Sequence, residues 1–278
     1  MRIPENTLAA AQSYFKAELA DRFETDELVA LSRIVFEKID AKGPRLQESD
    51  LVKIVHIIKR LKQNEPLQYI LQEAYFFNEP FKVTQAVLIP RPETEELVEW
   101  ILSIAPATLS AAAQILDIGT GSGCIAITLQ QKWPSATVSG LDVSAEALAI
   151  AQYNAVQKQV QVQWIQHDFF TYQPGMQFDV LVSNPPYIAQ AESQTMAANV
   201  LNFEPHLALF VSDQQPLFFY QGIAEFGWHH LKPGGHVFVE LNPLFAHQVL
   251  AAFTAKGYQD VELKLDLSGN YRFLHARR

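Results

Sequence analysis

The sequence predicts an α/β protein in which a small helical bundle precedes a doubly wound, mostly parallel sheet of seven strands. Three observations carry this expectation. The first 72 residues show apolar spacing of helical period only; from residue 114 onward apolar segments of strand and helix length alternate; and a glycine-rich turn, Asp117 to Gly123 (DIGTGSG), stands between the first strand of that series and its helix. The 278 residues exceed the roughly 100 to 200 usual for one domain, so two domains are expected. With 49% hydrophobic and 18% charged residues the chain has ample material for packed cores.

The elements follow in order. Thr25 reads as an N-cap, with Asp26 and Glu27 where a helix dipole favours negative charge, and Leu28, Leu31, Ile34 and Val35 at helical spacing; Gly43-Pro44 closes that segment. A second amphipathic stretch places Leu51, Ile54, Val55, Ile58 and Leu61 on one face, with Lys53, His56, Lys59, Arg60 and Lys62 elsewhere. Between Ala74 and Ile89 aromatic and β-branched residues around Asn78-Glu79-Pro80 suggest a hairpin. A helix is expected over 94–103. Strands are expected at 114–118, 137–141, 161–166, 178–183, 236–241, 259–264 and 271–276, and helices at 122–131, 144–157, 215–230 and 243–256. The predicted division is a helical domain over 1–72, a hairpin linker over 73–90 and an α/β domain over 91–278.

Composition narrows the function classes. The net charge is -9, and the acidic excess lies beyond residue 75, which argues against a nucleic-acid partner because phosphate binding needs a basic footprint. Cys124 is the single cysteine, so neither an intrachain disulfide nor a multi-cysteine metal cluster can form, and the adjacent His229 and His230 lack the spacing of a zinc pair. No metal is expected. No apolar run approaches a membrane span and no leader is apparent, so a cytoplasmic protein without membrane contact is expected.

Three glycines in five residues let the backbone of the DIGTGSG turn bend tightly and approach a ligand at a helix N-terminus. The third glycine comes one position too early for a dinucleotide fingerprint, and no phosphate loop of the G-x-x-x-x-G-K-[ST] type is present. The string resembles the first motif of the class I S-adenosylmethionine-dependent methyltransferases. That resemblance implies S-adenosylmethionine as cofactor, held by Gly119, Thr120, Gly121, Ser122 and Gly123. It also implies that Asp142, ending the second strand, takes the ribose hydroxyls; the alternative for Asp142 is a helix cap before Ser144. After the third strand comes His167-Asp168-Phe169-Phe170, where the resemblance implies that Phe169 stacks on the adenine, unless it is simply a buried aromatic.

Asn184-Pro185-Pro186-Tyr187 follows the apolar strand ending near Val182. In a doubly wound sheet this loop and the glycine loop face one crevice at the topological switch. An amide or aromatic amine nitrogen is a poor nucleophile because its lone pair is delocalised. The Asn184 side-chain oxygen and the Pro185 carbonyl can each accept one N–H of such a group, leaving the lone pair aimed at an electrophilic methyl. Pro185 and Pro186 hold the carbonyls rigidly, and Tyr187 can lie against the planar group. This tetrapeptide is shared by adenine N6, cytosine N4 and glutamine N5 methyltransferases, so it identifies a planar NH₂ and not its owner.

The strings Leu88 to Glu95 (LIPRPETE), DIGTGSG, NPPYI and Phe203 to Leu209 (FEPHLAL) together resemble the release factor glutamine methyltransferases over nearly the whole chain. The resemblance implies N5-methylation of the glutamine in the Gly-Gly-Gln motif of class I peptide-chain release factors, with the helical N-terminal part helping to hold that protein. It implies catalytic roles for Asn184, Pro185 and Tyr187, cofactor contact by Asn184, and a frame for the glutamine from Asn184, Pro185, Pro186 and Tyr187. Arg91 and Glu93 would shape the pocket or serve a structural ion pair. Methylation of a ribosomal-protein glutamine, amino-methylation of DNA and an inactive docking module stand as alternatives. Three departures from the family pattern are present: Gln72 where glycine is usual, Leu241-Asn242 where a glycine ends the E-[IH]-G string, and Tyr271 where aspartate is usual.

Overall fold

A computed structural model describes residues 5–39, 45–109 and 112–278, with Thr108 described for its backbone alone. The Gly43-Pro44 stop lies outside the described residues. By contact density the chain divides into two compact units, residues 1–71 with 197–203, and residues 72–196 with 204–278.

The first unit holds α1 (Leu8–Leu19), α2 (Thr25–Glu37), α3 (Glu48–Leu61) and the short α4 (Leu67–Leu71). Thr7 caps α1 by accepting the Ala10 N–H. Thr25 is the first helical residue of α2 rather than its cap: Glu24 occupies the cap position without a side-chain hydrogen bond, and Asp26 and Glu27 in the first turn face the free N–H groups. The stripe Ile54, Ile57, Ile58 and Leu61 of α3 is buried with Phe15, Leu19, Val35 and Phe36. Each such side chain contributes roughly 1.5–3 kcal/mol by leaving water. Three of the five basic residues on α3 and its end pair inside this unit, Lys53 with Asp50, Arg60 with Glu65 and Lys62 with Glu18.

The second unit opens with a hairpin, β1 (Glu73–Phe76) and β2 (Glu79–Lys82). Its two-residue turn is Phe77-Asn78, both with positive φ (51° and 59°), the conformation whose twist matches paired strands. The sequence centres the hairpin on Asn78-Glu79-Pro80, of which only Asn78 is in the turn; Glu79 and Pro80 lie within β2, Pro80 opposite Tyr75. Helix α5 (Pro92–Thr108) starts with Pro92 in its first turn, where a missing N–H costs nothing, and runs past the expected end at Ser103 because Pro106 interrupts only its last turn.

The sheet series follows: β3 (Gln114–Ile118), α6 (Cys124–Lys132), β4 (Thr137–Asp142), α7 (Ala145–Gln157), β5 (Gln163–Gln166), β6 (Phe178–Ser183), β7 (Ile188–Ala189), α8 (Ala198–Phe203, within the first unit), α9 (His206–Leu209), β8 (Phe210–Val211), α10 (Phe218–His230), β9 (Leu231–Glu240), α11 (Ala246–Lys256), β10 (Gln259–Leu265) and β11 (Tyr271–Arg277). Seven strands form one sheet in the order β10-β11-β9-β6-β3-β4-β5, with β11 antiparallel to both neighbours and the pairs from β9 to β5 parallel. The expected doubly wound α/β architecture is therefore present. Neighbouring residues in the central strands feed opposite layers: Val180, Val182 and Phe238 pack with α5 and α6, whereas Leu181, Val237 and Val239 pack with α10 and α11. Burial on both faces explains why these strands read as continuous apolar runs. The order reverses between β3 and β6, which puts the loops after those strands side by side.

Candidate active site

The loop after β3 is tied to the end of β4. The N–H groups of Gly119 and Thr120 both donate to the Leu141 carbonyl (2.8 and 3.0 Å), and that of Gly121 donates to Asp142 Oδ2 (2.9 Å). Gly119 and Gly121 have φ of +73° and +53°, and nothing lies within 4 Å of where a Cβ would stand, so the loop presents bare backbone to open space. Gly123, the cap of α6, is closed instead, since a Cβ there would sit 3.0 Å from Ala151 and Trp164. Cys124, next in line, is buried, and burial pushes its thiol up to about 12.

Asp142 is held in the turn before α7 without being its cap. Its Oδ1 accepts the Ser144 N–H (2.9 Å) while Ser144 itself caps α7, so the carboxylate belongs to the turn. Backbone N–H groups fix the carboxylate and leave it with acceptor capacity to spare. Burial raises its pKa, opposed by the N–H groups of Ser144, Gly121 and Val143. Asp117, at the end of β3, is wholly buried; its Oδ2 accepts from Thr120 and its Oδ1 has no partner. Burial pushes Asp117 up to about 7, and the charge of Asp142 adds to that.

Beyond β5, Asp168 Oδ1 accepts the Phe170 N–H (3.0 Å). Phe169 is buried, with its ring 4.0 Å from Phe170 by centroids, and packs with Phe219 and Phe226. The exposed ring of the pair is Phe170.

The loop after β6 lies beside the glycine loop: Ser183 pairs with Ile118 and its hydroxyl donates to the Ile118 carbonyl (2.8 Å). Asn184 Nδ2 donates to Thr94 Oγ1 (3.1 Å), and the Thr94 hydroxyl donates to Glu240 Oε2 (2.7 Å). The Tyr187 hydroxyl donates to Glu240 Oε1 (3.1 Å). Neither Asn184 Oδ1 nor the Pro185 carbonyl receives a hydrogen bond from the described residues. Burial pushes Glu240 up to about 7, against the hydrogen bonds from Thr94 and Tyr187 and the charge of Arg272. Burial also holds the Tyr187 hydroxyl well above its ordinary value, and the Glu240 charge adds to this.

Two further ties frame the loop. Asn242 Nδ2 donates to the Tyr187 carbonyl (3.1 Å) and to Glu192 Oε1 (3.0 Å). Glu204, from FEPHLAL, pairs with Arg91 and accepts the Ile89 N–H (3.3 Å), so it clamps the IPRPETE segment. Arg91 thus has a buried structural partner, and that partner is Glu204. Sequence reasoning missed Thr94, Glu240 and Asn242. A usable signal existed for Glu240, a carboxylate closing an apolar strand at the carboxyl edge of the sheet, where ligands gather.

Residues 99–206 match the methyltransferase small domain. The release factor glutamine methyltransferase of Bacteroides thetaiotaomicron is 41% identical over 277 residues, covering 96% of this chain and 98% of that protein. This chain belongs to the release factor glutamine methyltransferase family. The family member from Flavobacterium psychrophilum is 38% identical over 95% of this chain and 96% of its own length. A methyltransferase from Pyrococcus furiosus shares the fold, with a TM-score of 0.54 at 17% identity over 79% of this chain and 96% of that one.

The family's cofactor, S-adenosylmethionine, carries a ribose and two cationic centres, and the residues present fit it. The open glycine edge admits close approach, Asp142 retains acceptors for a diol, and the unpartnered Asp117 oxygen supplies negative character that a nearby cation would stabilise. Among the described residues no group of three or more His, Cys, Asp or Glu is placed to hold a metal ion, and no helix is long and apolar enough to cross a membrane.

Proposed function

We propose that this enzyme transfers a methyl group from S-adenosylmethionine to the side-chain amide nitrogen of the glutamine in the Gly-Gly-Gln motif of class I peptide-chain release factors. The observation that carries this reading is the 41% identity over 96% of the chain to a protein of that name. The free acceptors at Asn184 and Pro185 support it chemically.

When bound, S-adenosylmethionine supplies a methyl made electrophilic by its sulfonium. Gly119, Thr120, Gly121, Ser122 and Gly123 line the backbone edge that receives it, Asp142 accepts the ribose hydroxyls, and Phe169 with Phe170 forms an aromatic wall for the base. Asn184 Oδ1 and the Pro185 carbonyl each accept one N–H of the substrate amide. Holding both protons in acceptor bonds favours a localised lone pair on nitrogen and points it at the methyl. Pro186 and Tyr187 frame the planar group. The nitrogen gains the methyl and sheds one proton to water, so no general base is needed.

In this reading residues 1–72 dock the release factor, 73–90 link, and 91–278 carry out catalysis. The reaction belongs to the cytoplasm, where release factors act, and requires neither membrane nor direct nucleic-acid contact. Incubation with labelled S-adenosylmethionine, release factor, ribosomal proteins and DNA, followed by mass mapping, tests it. The label is expected on the Gly-Gly-Gln glutamine alone, and a label on DNA or on a ribosomal protein instead would reassign the substrate. Asn184→Ala should lower turnover by about 10²- to 10³-fold with cofactor binding much less affected. A release factor with glutamate in place of that glutamine should not turn over, since a carboxylate brings no N–H and meets two acceptors.

A further inference from the structure

We infer that Thr94 and Glu240 are positioning residues that set the orientation of the Asn184 amide and thereby make the site accept an NH₂ and reject a carboxylate. The inference rests on the glutamine reading above. Its basis is the chain of hydrogen bonds Asn184 Nδ2 to Thr94 Oγ1 (3.1 Å) and Thr94 Oγ1 to Glu240 Oε2 (2.7 Å).

A side-chain amide has two faces, one donating and one accepting, and a rotation of half a turn exchanges them. Which face meets the substrate decides whether Asn184 holds an N–H or repels it. Burial raises Glu240, but the hydrogen bonds from Thr94 and Tyr187 and the charge of Arg272 favour its ionised form, and in that form it can only accept. With Tyr187 donating to Oε1, the Thr94 hydroxyl proton goes to Oε2, and the oxygen of Thr94 is left with lone pairs toward Asn184. An amide NH₂ satisfies those lone pairs; an amide oxygen turned the same way would face them with no proton between. The relay therefore holds the Asn184 oxygen toward the crevice.

The elements that deliver these groups are rigid. Thr94 lies in the first turn of α5, Glu240 ends β9, and Asn184 follows β6, which pairs directly with β9. Thr94 and Glu240 are 2% and 1% exposed, so neither touches bulk water and neither is placed to meet substrate. Thr94 acts through Asn184, and Glu240 acts through Thr94 and, from Oε1, also holds Tyr187.

The test compares Thr94→Val with Thr94→Ser, and Glu240→Met with Glu240→Gln, in the full-length enzyme with S-adenosylmethionine and whole release factor. Thr94→Val and Glu240→Met should each lower kcat by about 10- to 100-fold, with the cofactor Kd within about twofold of wild type. Thr94→Ser and Glu240→Gln keep a hydroxyl and an acceptor, and each should restore most of the loss. The double variant should cost no more than the worse single one, because both changes break one chain. A Gly-Gly-Glu peptide should inhibit Thr94→Val more strongly than wild type, relative to the Gly-Gly-Gln peptide, since a freed Asn184 can turn its NH₂ toward a carboxylate. An active wild type with Thr94→Val within twofold of it, or Thr94→Ser as impaired as Thr94→Val, would overturn this inference alone. A wild type that methylates no glutamine would sink the glutamine reading and this inference with it.

Discussion

Gln72 illustrates what a single residue can store. Where the family usually has glycine, this chain places an exposed glutamine at φ +55°, in the left-handed region, at the entry to the hairpin. An L-residue there costs roughly 1–2 kcal/mol, and glycine returns about 0.4–1 kcal/mol of that through the greater freedom of the unfolded chain. Gln72→Gly should therefore stabilise by about 0.5–1 kcal/mol, read as a higher urea midpoint at unchanged slope, while Gln72→Ala should give no gain. A lower midpoint for the glycine variant would mean that the glutamine side chain holds something. The departure was visible in the sequence, but its meaning was not, because φ belongs to the backbone and not to the residue type. Thr94 is the converse case: its letter sits in a legible motif, yet its role depends on a carboxylate 146 positions away, a distance only the sheet closes.

At the scale of elements, the sequence was most legible where period and punctuation agree. The strands from β3 to β6 and helices α6 and α7 fall within a few residues of expectation because glycines, a serine cap and apolar runs mark their ends. The parallel pair β7 and β8 was illegible, since two residues each carry no period. The loop between β6 and that pair is held by Asn242, another departure from glycine. Its side chain spans from the end of β9 to the Tyr187 carbonyl and Glu192, and accepts the Leu244 N–H. Asn242→Gly should keep the fold, destabilise by about 1–3 kcal/mol through lost buried hydrogen bonds, and speed amide exchange over residues 187–192 while leaving β6 protected. Exchange unchanged across that loop would show that Asn242 is not what holds it.

For the whole molecule, the charge balance that weighed against nucleic acid also constrains docking. Of the five basic residues on α3 and its end, Arg60, Lys62 and Lys53 pair within their own unit, Lys53 at 3.8 Å from Asp50 on an open face, whereas His56 and Lys59 are exposed. Surface charges of this kind steer and hold at a few tenths to about 1 kcal/mol each. If the helical unit holds the release factor as proposed, the double variant Lys53→Glu, Lys59→Glu should raise KM for whole release factor about 3- to 10-fold and leave KM for a short Gly-Gly-Gln peptide unchanged. An equal rise for both would confine that unit to a folding role.

Cys124 gives the enzyme a gauge of its own. The sole thiol sits buried directly behind the glycine loop, protonated at any ordinary pH, so a thiol-reactive dye can attack it only after the first turn of α6 has opened. Labelling of the native protein therefore counts openings of the cofactor loop, one dye per event, with no engineered probe. Saturating S-adenosylmethionine should slow that count by a factor of 1 + [L]/Kd, because binding withdraws molecules from the pool that can open. Affinity then becomes readable from a clock, before any methyl group has moved.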